Sequence, residues 1–329
     1  MKVIVPDKES ALSKLTPSQI SELEMHSFIN LMNVIVMQLQ ILSEDHQQSR
    51  NLDDTVTLTS KLLNEVRSGS INGLFPQRML EYKKLVKKTL RDLEKKVLAA
   101  RRPENNLPVK SDNAQMNGVV TSLEELSEAK DLLDDTLKQL DIRVEELALR
   151  LLGSEVWQET RVESLRDEYV VYLKTLEKNS RGRFRIAIDG ARLNESDYLV
   201  LTDIRSDLGD VIFTTVLFKD VMRDIVSNAR KYTPLGGTIR FSLHQQKDRL
   251  HLCVSDTGIG IPEDELPLVF EYGYRASNAK SIRTMGGGFG LTKALHVVRQ
   301  FRGDMSIASE TGNGTTISIT LPIPETALT

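Results

Sequence analysis

At 329 residues, with 43 Lys and Arg against 46 Asp and Glu and a formal net charge of −3, the chain has room for about two domains and no basic excess favouring nucleic acid. Its single cysteine, Cys253, excludes an intramolecular disulfide and suits a reducing cytoplasm. The opening MKVIVPDKESAL is too quickly charged for a signal peptide and no run approaches the ~18 apolar residues of a membrane span, so an input signal is expected from a soluble partner or ligand.

From Thr16 to about Leu152 the chain is almost free of strand patterns. In LTPSQ, Thr16 suits an N-cap, Pro17 the first helical position and Gln19 the third, so a long helix is predicted to open there. Apolar residues then recur at Phe28, Leu31, Met32, Ile35, Leu39 and Leu42, a helix-period stripe that requires a covering surface. Further helices are predicted from roughly Leu52 to Arg67, Pro76 to Arg101 and Val119 to Leu152, broken by SGSING and RRPENNLPVKSDNAQMN. The stretch EYKKLVKKTLRDLEKKVLAARR is strongly basic, but its leucines and valines keep helical spacing, which makes it an amphipathic helix with a solvated face. An antiparallel helical hairpin or bundle is the expected product.

Beyond a seam placed between Gly153 and Asn179 the pattern changes. TIRFSLH, RLHLCVSD and TTISITLP alternate apolar and polar residues as half-buried strands do, and Cys253 falls within the second, in what reads as a buried strand. Helices from about Val211 to Tyr232 and Phe289 to Phe301 supply a covering layer. The expectation is a helical domain over 1–152 followed by an α/β sandwich over 153–329, without Rossmann-type alternation.

Three motifs in the second half carry chemistry. RDIVSNARKYT places Asp224 and Asn228 four residues apart on one helix face, a pair of oxygen donors suited to a hydrated Mg²⁺ on phosphate, with Lys231 three residues further on. SDTGIGIP follows a strand directly, so Asp256 emerges where a carboxylate can accept from an adenine amino group, while Gly258 and Gly260 allow close backbone approach. MGGGFGLT sets Gly286, Gly287, Gly288 and Gly290 before a helix, where free amides form a phosphate cradle, although neither the P-loop nor the dinucleotide fingerprint is present. Between the last two lies FEYGYRASNAKSIRTM, a polar and basic stretch that reads as a mobile lid over a nucleotide, with Arg275, Lys280 and Arg283 as candidates to follow the phosphates.

In order, SNARKYT, DTGIGIP, FEYGY, GGGFGLT and TGNGTTISITLP resemble the N, G1, F, G2 and closing glycine boxes of the ATP-binding domain of sensor histidine kinases. That domain belongs to a superfamily shared with gyrase, a heat-shock chaperone and the mismatch-repair ATPases, and the resemblance covers about Phe184 to Pro322. It implies ATP and Mg²⁺ as ligands and adds Tyr232 and Thr315, from the first and last boxes, to the binding residues.

The resemblance also gives a meaning to EMHSFINLMNVI. A lone histidine on a helix is ordinarily a solvated or packed residue, but the family carries its phosphoacceptor on the first helix of a dimeric hairpin, in a motif like H-E-x-x-N-P-L. His26 and Asn30 fall into that register, and at 100° per residue His26 lies roughly 160° from Phe28, away from the apolar stripe. Ser27 replaces the family's acidic residue, Leu31 its proline and Asp224 its asparagine, and the helical segment near 52–102 exceeds a simple hairpin. The implied activity is a histidine kinase that phosphorylates His26, with Asn30 positioned to orient water, and passes the phosphoryl to a response-regulator receiver domain. A homodimer and a soluble upstream sensor accompany that expectation. Two alternatives stand beside it: a degenerate kinase acting as an ATP-binding scaffold, favoured by Ser27 and Leu31, and a serine kinase of the same superfamily.

Overall fold

The computed structural model describes residues 1–6, 12–45, 50–68, 75–99, 126–141, 143–144, 157–180, 182–190, 194–282 and 287–328. The chain divides into two units, Pro17–Ser154 and Met1–Thr16 with Glu155–Thr329.

The first unit is helical: α1 (Pro17–Asp45), α2 (Arg50–Arg67), α3 (Phe75–Ala99) and α4 (residues 126–141). Helix α1 opens at Pro17, where ring and missing N–H cost nothing. Phe28, Met32, Ile35, Leu39 and Leu42 of its predicted stripe are buried and Leu31 is half-buried. They share one core with Leu62 and Val66 of α2, Met79 and Val86 of α3, and Leu133 and Leu137 of α4. The stripe is therefore covered within one chain, and the segment near 52–102 is part of that cover. Buried hydroxyls pair across the helices, Thr59 with the Tyr82 phenol at 2.9 Å and Thr55 with Thr89 at 3.0 Å, which satisfies polar groups that would otherwise penalise burial. Outside the core, Arg78 pairs with Glu65 at 2.7 Å and Lys130 with Glu94 at 2.7 Å.

The second unit is built on a seven-stranded sheet in the order β1-β8-β9-β7-β6-β4-β3. Its strands are β1 (Lys2–Ile4), β3 (Ile186–Ile188), β4 (Tyr198–Ser206), β6 (Thr238–Gln246), β7 (Arg249–Asp256), β8 (Asp304–Glu310) and β9 (Gly314–Pro322). β2 (Gln158–Arg161) and β5 (Val211–Thr214) form a separate antiparallel pair. Helices α5 (Val162–Asn179), α6 (Val216–Tyr232) and α7 (Gly290–Gln300) bury their apolar sides against one sheet face, giving a core of Leu173, Val221, Ile225, Phe241, Leu252, Leu295 and Ile319 among others. Tyr169 of α5 stacks on Phe241 of β6 with ring centroids 4.1 Å apart. The two-layer expectation holds because β6, β7 and β9 each alternate buried with less buried residues.

Three details differ from the sequence reading and a fourth narrows it. Val211 to Thr214 form strand β5, because this β-branched and aromatic run pairs with β2 and Thr215 then caps the helix, its Oγ1 accepting from the Phe218 N–H at 3.1 Å. The seam, expected between Gly153 and Asn179, falls at the N-terminal end of that range, at Ser154, because β2 and α5 pack into the α/β core. The first sixteen residues belong with the α/β unit, since Lys2, Val3 and Ile4 pair antiparallel with Ser309, Ala308 and Ile307 of β8. Cys253 is half-buried, because it alternates with Leu252 and Val254 and so points away from the core face. Much of the predicted 119–152 helix lies outside the described residues.

Replacing Thr215 by Ala is expected to cost about 1 kcal/mol, while Ser, which keeps the capping hydroxyl, costs less. Urea unfolding monitored at the α/β unit measures the difference, and equal loss in both variants contradicts a capping role.

Candidate functional site

The site forms where the C-terminal half of α6, the loop after β7, the start of β9 and the N-terminus of α7 converge. Asp256 is the last residue of β7, and its Oδ1 accepts from the N–H of Gly258 at 2.8 Å and of Thr315 at 3.2 Å. Burial pushes its carboxyl from the ordinary 3.8 up to about 6, against the downward pull of those two N–H groups. The Thr315 hydroxyl lies 2.9 Å from Ser309 Oγ, which in turn accepts from the Ile261 N–H. The loop is tied to α6 through Tyr232, whose carbonyl accepts from the Ile259 N–H at 3.0 Å. Gly260 must be glycine: its φ is +64°, and a Cβ would stand 2.0 Å from the Glu310 carbonyl oxygen.

On α6, Asp224 and Asn228 do share one face. A Cβ at Gly290 would meet Asn228 Nδ2 at 2.8 Å, so the glycine lets the first turn of α7 lie directly against that amide. Gly288 backs onto the Gly273 and Tyr274 backbone, joining the glycine-rich loop to the lid. Lys231 is half-buried; burial lowers its pKa, while the nearby Asp224 carboxylate raises it and Arg230 and Arg275 lower it further. Gly286 and Arg283 lie outside the described residues.

Over residues 271–282 the predicted lid is tied to Glu265 and Gly260 and to its own carbonyls. Glu265 accepts from the Tyr274 hydroxyl at 2.7 Å, from the Ser277 N–H at 2.7 Å and from the Ser277 hydroxyl. Asn278 Nδ2 donates to the Gly260 carbonyl at 3.0 Å. Arg275, expected to follow phosphates, instead donates to the carbonyls of Ala279 at 3.0 Å and Ile282 at 2.8 Å, because the tight lid turn leaves those acceptors inside the curve.

Sequence reasoning missed the ionic cluster beneath this face. Lys293 of α7, 1% exposed, lies with its Nζ 2.8 Å from Asp224 Oδ2 and 3.2 Å from Asp220 Oδ2, and Asp220 Oδ1 accepts from Arg223 at 3.0 Å. Helical phase was the available signal, since Lys293 stands four residues before the buried Val297. His26 and Asn30 lie on α1 in the other unit; Asn30 is exposed, and the His26 and Ser27 side chains lie outside what the structure describes.

Residues 214–325 match the family model of histidine kinase-, DNA gyrase B- and HSP90-like ATPases. The match covers 112 residues, about a third of the chain. The chain is 40% identical over 107 residues to the sensor histidine kinase WalK of Bacillus subtilis (32% of this chain, 18% of that protein). It is 35% identical over 125 residues to the adaptive-response sensory kinase SasA of Synechococcus elongatus (38% and 32%), and 32% identical over 152 residues to the sensor-like histidine kinase SenX3 of Mycobacterium tuberculosis (46% and 36%). The matched part thus spans little more than a third of these relatives at most.

Among the described residues no helix is long and apolar enough to cross a membrane, and no three His, Cys, Asp or Glu side chains cluster to hold a metal. The Asp224 carboxylate and Asn228 amide, on one face of α6, are oxygen donors of the kind that would hold a Mg²⁺ whose other ligands are phosphate and water.

Because the folded pKa of Asp256 lies above its unfolded value, its contribution to stability is fully present below the unfolded pKa, near pH 4, and is lost as pH rises through about 6. Asp256→Asn is therefore expected to melt higher than wild type at pH 7 to 8, by a margin that shrinks as pH falls from 6 to 4. Scanning calorimetry across that range decides it; a constant or reversed margin means the carboxylate is not strained by burial.

Proposed function

We propose that the chain is an ATP-dependent protein histidine kinase of two-component signalling that phosphorylates itself on His26. The observation that carries this reading is a pair of contacts at the C-terminal half of α6: Gly290 lies against Asn228, and the loop that ties Asp256 to Thr315 bonds the Tyr232 carbonyl through Ile259. Domains of this family and relatives named as sensory kinases support it.

In this reading the adenine amino group donates to Asp256, with the amides around Gly258 and Gly260 lining the base, and Tyr232 and Thr315 closing the pocket. The triphosphate lies along the glycine-rich loop at the N-terminus of α7, Gly286 included, where free amides favour negative charge. Mg²⁺, held by Asn228 and Asp224, supplies neutralisation of the phosphate oxygens. Lys231 stands beside Asp224 to meet charge that develops on the transferring group. A bond from an imidazole nitrogen of His26 to the γ-phosphorus forms as the bond to the β,γ-bridging oxygen breaks, and ADP leaves. The phosphoryl then passes to an aspartate of a receiver-domain partner, and Asn30, one helical turn from His26, orients water for the reverse signal. A homodimer acting in the cytoplasm under a soluble upstream sensor completes the proposal.

Incubation with γ-labelled ATP and Mg²⁺ tests it. The expected product is an acid-labile, base-stable label, absent from His26→Ala and reduced at least about 100-fold in Asn228→Ala, as for loss of a group acting on the transferring phosphate. An acid-stable label retained in His26→Ala means a hydroxyl acceptor. ATP binding without any label, with receiver domains present, means a scaffold.

A further inference from the structure

Two carboxylates and two cations lie together under the α6 face. Desolvating such groups costs several kcal/mol each unless every charge is paired, and in this cluster each is: Arg223 with Asp220, and Lys293 with both Asp220 and Asp224. Asp220 is 3% exposed and Lys293 1%, but Asp224 keeps 28% of its side chain exposed, so the network has a closed end in the core and an open end at the site. Lys293 stands three residues beyond Gly290, whose first helical turn lies against Asn228. One ammonium therefore links the helix that carries the glycine-rich loop to the helix that carries both candidate metal donors.

We infer that Lys293 is a positioning residue for the metal-phosphate subsite: it holds Asp224 by one carboxylate oxygen, directs the other towards Mg²⁺, and fixes the spacing of α6 and α7 before nucleotide arrives. The inference rests on the nucleotide-binding part of the proposed function. A purely structural ion cluster predicts something different. It requires only charge balance, which can be restored without Lys293 by removing one carboxylate deep in the core and leaving Asp224 intact.

The test compares Lys293→Met, the pair Lys293→Met with Asp220→Asn, and Lys293→Arg. Urea unfolding gives stability, and titration with a fluorescent ATP analogue, in Mg²⁺ and again in EDTA, gives affinity. Lys293→Met alone is expected to be destabilised, because one Arg then faces two carboxylates. The paired variant is expected to regain most of that stability yet bind the analogue about tenfold more weakly in Mg²⁺, as for loss of a group that orients a metal ligand. Its affinity in EDTA stays within about twofold of wild type, and Lys293→Arg retains part of the Mg²⁺-dependent affinity. Wild-type affinity of the paired variant in Mg²⁺ overturns the positioning role while leaving nucleotide binding intact. Absence of binding by the wild-type protein overturns the nucleotide reading, and the Lys293 inference with it.

Discussion

The hydrogen bonds into Asp256 hold the candidate site together. One carboxylate oxygen receives an N–H from the loop just after its own strand and another from the start of β9, so β7, the loop and β9 share one half-buried acceptor. A charged group in that position is costly, which is why its carboxyl is pushed up to about 6. The surrounding order follows from it: Ile259 reaches back to the Tyr232 carbonyl, Asn278 of the lid bonds Gly260, and Glu265 gathers the lid's turn. Stability is spent there on a carboxylate held partly out of water, a pattern of binding sites more than of cores.

The ionic cluster does the equivalent task for the other half of the site. Asp256 fixes the loop side through neutral N–H donors, whereas Asp224 is fixed through a buried ammonium. The two halves differ in consequence: the first keeps a strained acceptor, the second a charge already half-neutralised. A carboxylate replacing the family's asparagine thus comes with a cation on the adjoining helix.

Several of these features were legible in the sequence because they depend on local pattern. The α1 stripe, the start at Pro17 and the alternation in β6, β7 and β9 each follow from side-chain periodicity, and burial rewarded them all. The motif residues Asp256, Gly258, Gly260, Thr315 and Gly290 come together because the order of the motifs encodes the topology. What escaped were features set by distant partners. Strand β5 is a strand because β2 lies beside it, β1 because β8 offers an edge whose Ser309, partner of Lys2, stands 307 positions along the chain (309 − 2), and Lys293 is buried because two aspartates on another helix await it. Periodicity marks a residue as facing inwards; it does not say that a charge will be met there.

The pairing of β1 with β8 makes the helical unit an insertion within the α/β unit, attached by two joints of unlike kind. One joint is covalent, after residue 154, and β2 begins at Gln158. The other passes through a short strand whose grip is a three-residue ladder, helped by Arg299 donating to the Pro6 carbonyl at 3.3 Å and by Lys2 pairing with Glu263 at 2.9 Å. A ladder that short can part while the other six strands keep their pairings, and its parting bares the β8 edge, a template for any strand of matching pattern. The leash on the α1 side is thus detachable, and its dock is reusable.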